Sequence, residues 1–323
     1  MSKPAGMMSD EYPSASESDS GDLFDLQVNG FAGVDFQQPD LTVEDLERAA
    51  VALHAHRTTR ILLTLITDHI DALCAQLARI EELRRRSALI RQTIVGYHLE
   101  GPYLRPEPGY HGAHPPAKMK APDLGEFDRL WKASNGNLRL ITLAPEWPGA
   151  AAFIRDVVQR GVRVAIGHSN ASDAEIDAAQ NAGLSLCTHL GNAVPQHMHR
   201  HDNIVQRLLA RDDLFAAFIP DGLHLPPTVL QNFVRAKPVD RVLFTTDAMA
   251  AAAAKPGRYT LGELEVEVAV DGIVREPGRQ NFAGSSLTMD LAFRNVENLL
   301  GWSVELARTA CGSRVAQYLG FPD

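Results

Sequence analysis

The chain has 323 residues, 45% of them hydrophobic and 22% charged, an ordinary globular composition with enough apolar material for a large core, which excludes disorder throughout. A formal net charge of -9, with no Lys and Arg cluster interleaved with aromatics, excludes nucleic acid as a partner. Three scattered cysteines, Cys74, Cys187 and Cys311, support neither a disulfide framework nor a cysteine zinc knuckle, and no apolar run reaches the ~20 residues that would make a membrane its partner.

Residues 1–22 are rich in Ser, Asp, Glu, Pro and Gly and read as a disordered N-terminal tail. They carry no basic-then-apolar leader, so a cytoplasmic location is expected. From residue 23 onward, short apolar runs of β type alternate with stretches of helical periodicity, the pattern of repeated βα units around a parallel sheet. The runs cover 24–28, 60–66, 93–98, 138–144, 162–167, 184–189, 214–220 and 241–246. Most are continuous rather than alternating, as strands covered on both faces must be. Amphipathic segments between them include 42–56 with Thr42 as N-cap, 70–83, 150–160, 172–182 and 227–235. Arg84, Arg85 and Arg86 read as the solvated end of the second of these. After the eighth run, 262–276 alternates as a hairpin turning at Asp271 and Gly272, and helical patterns follow over 287–300 and 304–319. Eight strands with their helices predict one (β/α)8 TIM barrel over 23–323, with the hairpin near 262–276 inserted. A doubly wound open sheet is the rival, but no G-x-G-x-x-G follows the first strand.

In a barrel, catalytic groups come from the C-terminal ends of the strands. Here the third run leads into Glu100, the fifth into His168 and Ser169, the sixth into His189 and Asn192, the seventh into Asp221 and His224, and the eighth into Asp247. One carboxylate and two imidazoles, Glu100, His168 and His189, make an N/O set suited to one divalent ion with an open position, Zn2+ first and Fe2+, Co2+ or Mn2+ after it. A lone histidine is more often a satisfied core or surface residue, and convergence at one barrel mouth is what favours ligation. Cys187 shares a strand face with His189 and reads as buried filler rather than a fourth ligand. Asp247 is placed to take a proton from an activated water and pass it to a leaving amine, against the alternative of an ion-paired or helix-capping aspartate.

These segments, in this order, resemble the N-acetylglucosamine-6-phosphate deacetylases of the amidohydrolase superfamily. The carriers are DLQVNGFAGVDF (25–36), GYHLEGPYL (96–104), HGAHPP (111–116), IGHSNAS (166–172), CTHLGNAVP (187–195), DGLHLPP (221–227), TTDA (245–248) and AGSSLTMDLAFRN (283–295). Most amidohydrolases carry H-x-H at the end of the first strand; Gln27 and Asn29 stand there, which implies one metal rather than two. The resemblance implies Glu100, His168 and His189 as ligands and Asp247 as the acid/base. It makes His114 the group that polarises the acetyl carbonyl and stabilises its oxyanion. Asn192, Ala193, Arg200 and His224 would hold the sugar phosphate, and Phe282, Ala283 and Gly284 would line the sugar. For Arg200 the alternative is a surface arginine, since His197, His199 and His201 around it depart from the family.

Three further departures stand out. The family's small β-sandwich, built from both chain ends, is expected to be missing here. Gly191 replaces an aromatic, implying a wider or differently shaped pocket. The Ala-rich run 248–254 offers no aromatic platform. The implied reaction is hydrolysis of the N-acetyl group of N-acetylglucosamine 6-phosphate to glucosamine 6-phosphate and acetate. The alternatives are another N-acetylated sugar or secondary metabolite, and a non-catalytic sugar-phosphate-binding barrel, which would require a broken site. The family also implies a homodimer.

Overall fold

A computed structural model describes residues 22–279 and 282–322. The predicted tail, apart from Asp22, lies outside the described residues. Eight strands, β1 (Leu23–Val28), β2 (Thr58–Ile66), β3 (Ile94–Glu100), β4 (Leu138–Leu143), β5 (Arg163–Ile166), β6 (Leu186–Cys187), β7 (Phe215–Phe218) and β8 (Val242–Phe244), pair in chain order. Every neighbouring pair is parallel. Parallel neighbours need a crossover between them, and the helices supply it. These are α1 (Val43–Ala55), α2 (Ile70–Arg86), α3 (Ala88–Thr93), α4 (Leu124–Ala133), α5 (Ala150–Gln159), α6 (Asp173–Ala182), α7 (Ile204–Leu209), α8 (Pro227–Ala236), α9 (Met289–Leu300), α10 (Val304–Cys311) and α11 (Ser313–Leu319). Thr42 with Asp45, and Ser172 with Glu175, close capping boxes that start α1 and α6.

The interior is layered. Near the N-terminal ends of the strands Phe24, Leu26, Leu62, Leu140, Leu186 and Leu243 fill the barrel, and α11 packs onto them through Val315 and Leu319. Nearer the C-terminal ends the filling turns polar: His98 meets Thr142 through Nε2 at 2.7 Å, and the Thr142 and Thr188 hydroxyls meet at 2.7 Å. The first and last strands meet mainly through side chains. Asn29 N donates to Ala248 O at 2.7 Å, while buried Asp25 accepts from the Thr245 hydroxyl at 2.5 Å and from the Thr246 backbone N at 3.2 Å. The Thr246 hydroxyl donates to Asp25 as well. Burial raises the Asp25 carboxyl above the usual carboxylate range, against these donors.

The structure departs from the sequence reading in several places. The pattern over 304–319 breaks into α10 and α11 at Gly312, where a Cβ would lie 2.7 Å from Asp22 O. The insertion has three antiparallel strands, β9 (Gly257–Leu261), β10 (Leu264–Val268) and β11 (Val274–Arg275); the expected hairpin at Asp271 and Gly272 is its second half. The Ala-rich run lies under this sheet, where Ala250 and Ala251 pack with Leu261, Val266 and Val268. Arg84 is not at a solvated end: it is buried, paired with Glu81 and set over the Tyr97 ring at 5.7 Å.

Two stability effects follow. Asp25→Ala strands the Thr245 and Thr246 hydroxyls and opens the seam, so urea unfolding is expected to show a loss of about 3 kcal/mol. Burial, opposed mainly by the Glu100 charge, lowers His98 from 6.5 to about 4, so the unfolded chain binds this proton first. The His98 contribution is therefore complete above pH 6.5 and is lost as pH falls towards 4, by about 3 kcal/mol. A His98→Gln variant should show a correspondingly shallower acid limb in its stability profile.

Candidate metal centre and active site

Glu100 is the last residue of β3, and His168 and His189 lie just past β5 and β6. Both histidines adopt positive φ, 52° and 27°, which ends each strand abruptly and turns the imidazole across the barrel mouth. The three side chains are buried, and one ligand atom from each lies within 4.8 Å of the others. His189 Nε2 is 2.9 Å and His168 Nε2 3.2 Å from the same oxygen, Glu100 Oε1.

The proton positions test whether a cation fits there. His168 Nδ1 lies 2.7 Å from Tyr110 O, a carbonyl that only accepts, so Nδ1 carries the hydrogen. In its neutral form His168 would turn the Nε2 lone pair onto Glu100 Oε1, two acceptors face to face. A cation between them removes the repulsion, and the orientation of His168 by a backbone carbonyl is how metal-ligating imidazoles are held. The donor set fits a borderline divalent ion. Cys187 is outside it: the thiol is buried and pushed up to about 12, as filler would be.

His114 completes a third side of Glu100, with Nε2 3.4 Å from Oε2. The Thr67 backbone N donates to His114 Nδ1 at 3.3 Å, and the Thr67 hydroxyl lies 2.9 Å away. Nδ1 is therefore the acceptor and Nε2 carries the hydrogen. Burial lowers the His114 pKa and keeps this neutral tautomer. Asp247 follows β8 with φ 53°. Gln27 Nε2 donates to Asp247 Oδ1 at 2.9 Å and Asn29 Nδ2 donates to the same oxygen at 2.7 Å, which leaves Oδ2 without a protein hydrogen bond among the described residues. Gln27 Nε2 also donates to Glu100 Oε2 at 3.0 Å, tying the carboxylates together. Burial, then the nearby Glu100 charge, raises the Asp247 carboxyl to about 6.

These groups face a cavity of about 80 Å³ also lined by Asn192, Ala193, His224, Phe282 and Gly284. His224 is fixed by Asp221, Nδ1 to Oδ2 2.6 Å, and its ring stands 4.7 Å from that of Phe282. Two expected residues do not line it: Arg200 is exposed on its loop and Ala283 is buried behind the wall. Gly191 does not open the pocket, because a Cβ there would lie 2.8 Å from the Phe233 ring, which already fills that volume. Ile66, Gly112, Ala113 and Leu261, none of them singled out in the sequence, also line the cavity. Leu261 belongs to the inserted sheet.

Similarity to known proteins decides the family. The N-acetylglucosamine-6-phosphate deacetylase of Danio rerio is 33% identical over 313 residues, which cover 92% of this chain and 74% of that protein. The chain belongs to the N-acetylglucosamine-6-phosphate deacetylase family. The N-acetylgalactosamine-6-phosphate deacetylase of Escherichia coli O157:H7 is 35% identical, over 86% of this chain and 71% of that one. A solved structure of an N-acetyl-D-glucosamine-6-phosphate deacetylase mutant from Mycobacterium smegmatis, in complex with N-acetyl-D-glucosamine-6-phosphate, superposes with a TM-score of 0.84 at 32% identity, covering 94% of this chain and 78% of that one. No protein-family model matches the chain.

Glu100→Gln removes the anionic ligand and leaves its shape. Zinc affinity, measured by competition with a chromogenic chelator, is expected to fall at least about tenfold, and His168→Gln should behave alike.

Proposed function

We propose that the chain hydrolyses the N-acetyl group of an amino-sugar 6-phosphate, N-acetylglucosamine 6-phosphate first, giving glucosamine 6-phosphate and acetate. The observation that carries the reading is a neutral, Nε2-protonated His114 and an Asp247 with one oxygen free of protein hydrogen bonds among the described residues, both lining one cavity with the Glu100, His168 and His189 cluster. Those three residues hold one divalent ion, Zn2+ by its preference for this donor set. When bound, it supplies Lewis acidity towards the amide carbonyl and the attacking water.

The protein groups do the rest. His114 Nε2–H donates to the carbonyl oxygen and grips it harder as negative charge builds there. Asp247 Oδ2 takes a proton from the water as its oxygen bonds to the acetyl carbon. The same oxygen returns that proton to the amine nitrogen as the C–N bond breaks, so the amine leaves neutral and acetic acid remains, which gives its proton to solvent and departs as acetate. Gln27 and Asn29 hold Oδ1 and keep Oδ2 aimed during both transfers. On the sugar side, His224, the Asn192 amide and the backbone around Ala193 and Gly284 hold the phosphorylated sugar, with Phe282 against the ring. The intact acid/base and ligand set speaks against a non-catalytic barrel.

Acetate release by zinc-loaded protein tests this. Asp247→Asn should lower kcat by about 10³-fold or more with KM little changed, and His114→Asn by about 10²- to 10³-fold. Unphosphorylated N-acetylglucosamine should react with a much higher KM. Full activity in Asp247→Asn would remove the proposed acid/base.

A further inference from the structure

Beside the catalytic cavity lies a second and larger one, a groove of about 560 Å³ that shares Ile66, Gly112, Ala113, His114 and Leu261 with it. Its walls come from the start of α2, the segment up to Lys118 and the turn between β9 and β10. Leu65, Leu73, Pro116 and Leu264 give it apolar surface, and the exposed Ala72 and Ala75 of α2 form part of its rim. Its charged and amide groups are already engaged. Lys118 Nζ is held by Asp68 at 2.6 Å and Glu263 at 3.0 Å, and Gln76 Nε2 donates to two backbone carbonyls at 2.7 Å each. One lining group, His111 Nδ1, is buried without a hydrogen-bond partner among the described residues, but most of the groove's surface is apolar and its lysine and amide groups are paired, which favours a neutral, largely apolar occupant.

The chemistry of the reaction says which part of the substrate reaches it. An amide carbonyl carbon has three substituents in one plane. On the reading above, the oxygen faces His114 and the ligand cluster, and the nitrogen leads to the sugar among Asn192, His224 and Phe282. None of those three sugar-side residues lines the groove. The third substituent, the alkyl group, takes the remaining direction, towards Ile66, Ala113 and Leu261, where the groove opens. A methyl group fills almost none of 560 Å³.

We propose that this groove is an acyl subsite, and that the protein hydrolyses amino-sugar 6-phosphates whose N-acyl group is a linear saturated chain of about four to six carbons as well as the N-acetyl compound. The inference rests on the amide-hydrolase reading and extends its substrate class. Water adds to the acyl carbon, the C–N bond breaks, one water proton goes to the amine nitrogen and the other to solvent, and butanoate or hexanoate leaves in place of acetate.

The test compares N-acetyl-, N-butanoyl- and N-hexanoylglucosamine 6-phosphate with the zinc-loaded full chain. The expected result is a kcat/KM for the longer chains equal to or above that for acetyl, with KM falling roughly two- to fourfold per added methylene, up to the limit set by full burial of a CH2. A loss of about a hundredfold from acetyl to butanoyl, with acetyl still turned over, overturns the acyl subsite and leaves the deacetylase reading standing. No hydrolysis of any of the three overturns both. Ala72→Trp and Ala75→Trp fill the rim from exposed helix positions. They should lower hexanoyl kcat/KM at least about tenfold while acetyl stays within about twofold, and an equal effect on both substrates overturns the assignment. In the Asp247→Asn background calorimetry should give a lower Kd for the hexanoyl than for the acetyl compound, and the reverse order overturns the proposal without reference to turnover.

Discussion

Glu100 places a carboxylate, 2% exposed, at the mouth of the barrel, and a buried charge is tolerated only when donors or cations surround it. The surroundings can be read as the answer to that demand. Three imidazoles converge on its two oxygens, and an amide, Gln27, donates to one of them. His168 spends one hydrogen on Tyr110 O, and in its neutral form it would offer Glu100 a lone pair rather than a donor, an arrangement that a divalent ion between them would satisfy.

The same constraint reaches Asp247 through β1. Gln27 in β1 and Asn29 just past its end stand two residues apart and face the same way, as extended backbone with a period of two allows, and both amides end on one Asp247 oxygen. An imidazole pair at those positions would offer lone pairs to a second cation; an amide pair offers N–H donors, which act on Asp247 directly. Below them, Asp25 joins β1 to Thr245 and Thr246, the residues immediately before Asp247. The bond that closes the barrel and the bonds that hold Asp247 are therefore consecutive rungs of one seam, and a shift of β1 along the barrel axis would disturb both.

The strands were readable because both faces of each are covered, so the apolar runs are continuous and easy to count. Boundaries were less so. The sixth run looked six residues long but pairs as Leu186–Cys187 alone, because the chain turns at His189 into a positive φ that no composition signals. Helices α3, α4 and α7 lie in stretches that the reading left without an assignment. At the site, groups that act through side-chain chemistry were visible as polar residues at strand ends. Thr67 and Tyr110 were not, since a threonine and a backbone carbonyl look ordinary until folding sets them beside Nδ1 of His114 and His168. Arg200 and Ala283 stay off the cavity wall for different reasons: Arg200 lies on a loop outside the segments that carry the resemblance, and Ala283 begins one of those segments, where adjacency along the chain does not fix which side chain faces the cavity.

His168, His189 and Asp247 share one backbone device, a left-handed residue two or three positions past the end of a barrel strand. Each costs of the order of 1–2 kcal/mol for a residue with a Cβ. The parallel sheet and the helices behind it hold the strands whatever the residue at the end does, so the strain is sustained by the fold. In return, three side chains are aimed inward from rigid strand ends rather than from mobile loops, and their directions are set before any substrate arrives. The contrast with the opposite side of the cavity is chemical as well as mechanical. There, beside His114, the wall is Ile66 at the end of β2, the Gly112–Ala113 turn and Leu261 from the inserted sheet, which is apolar or backbone surface. On the proposed reading, geometry is fixed where bonds change and permissive where the acyl group would lie, so the barrel would constrain the chemistry more tightly than the size of the group removed.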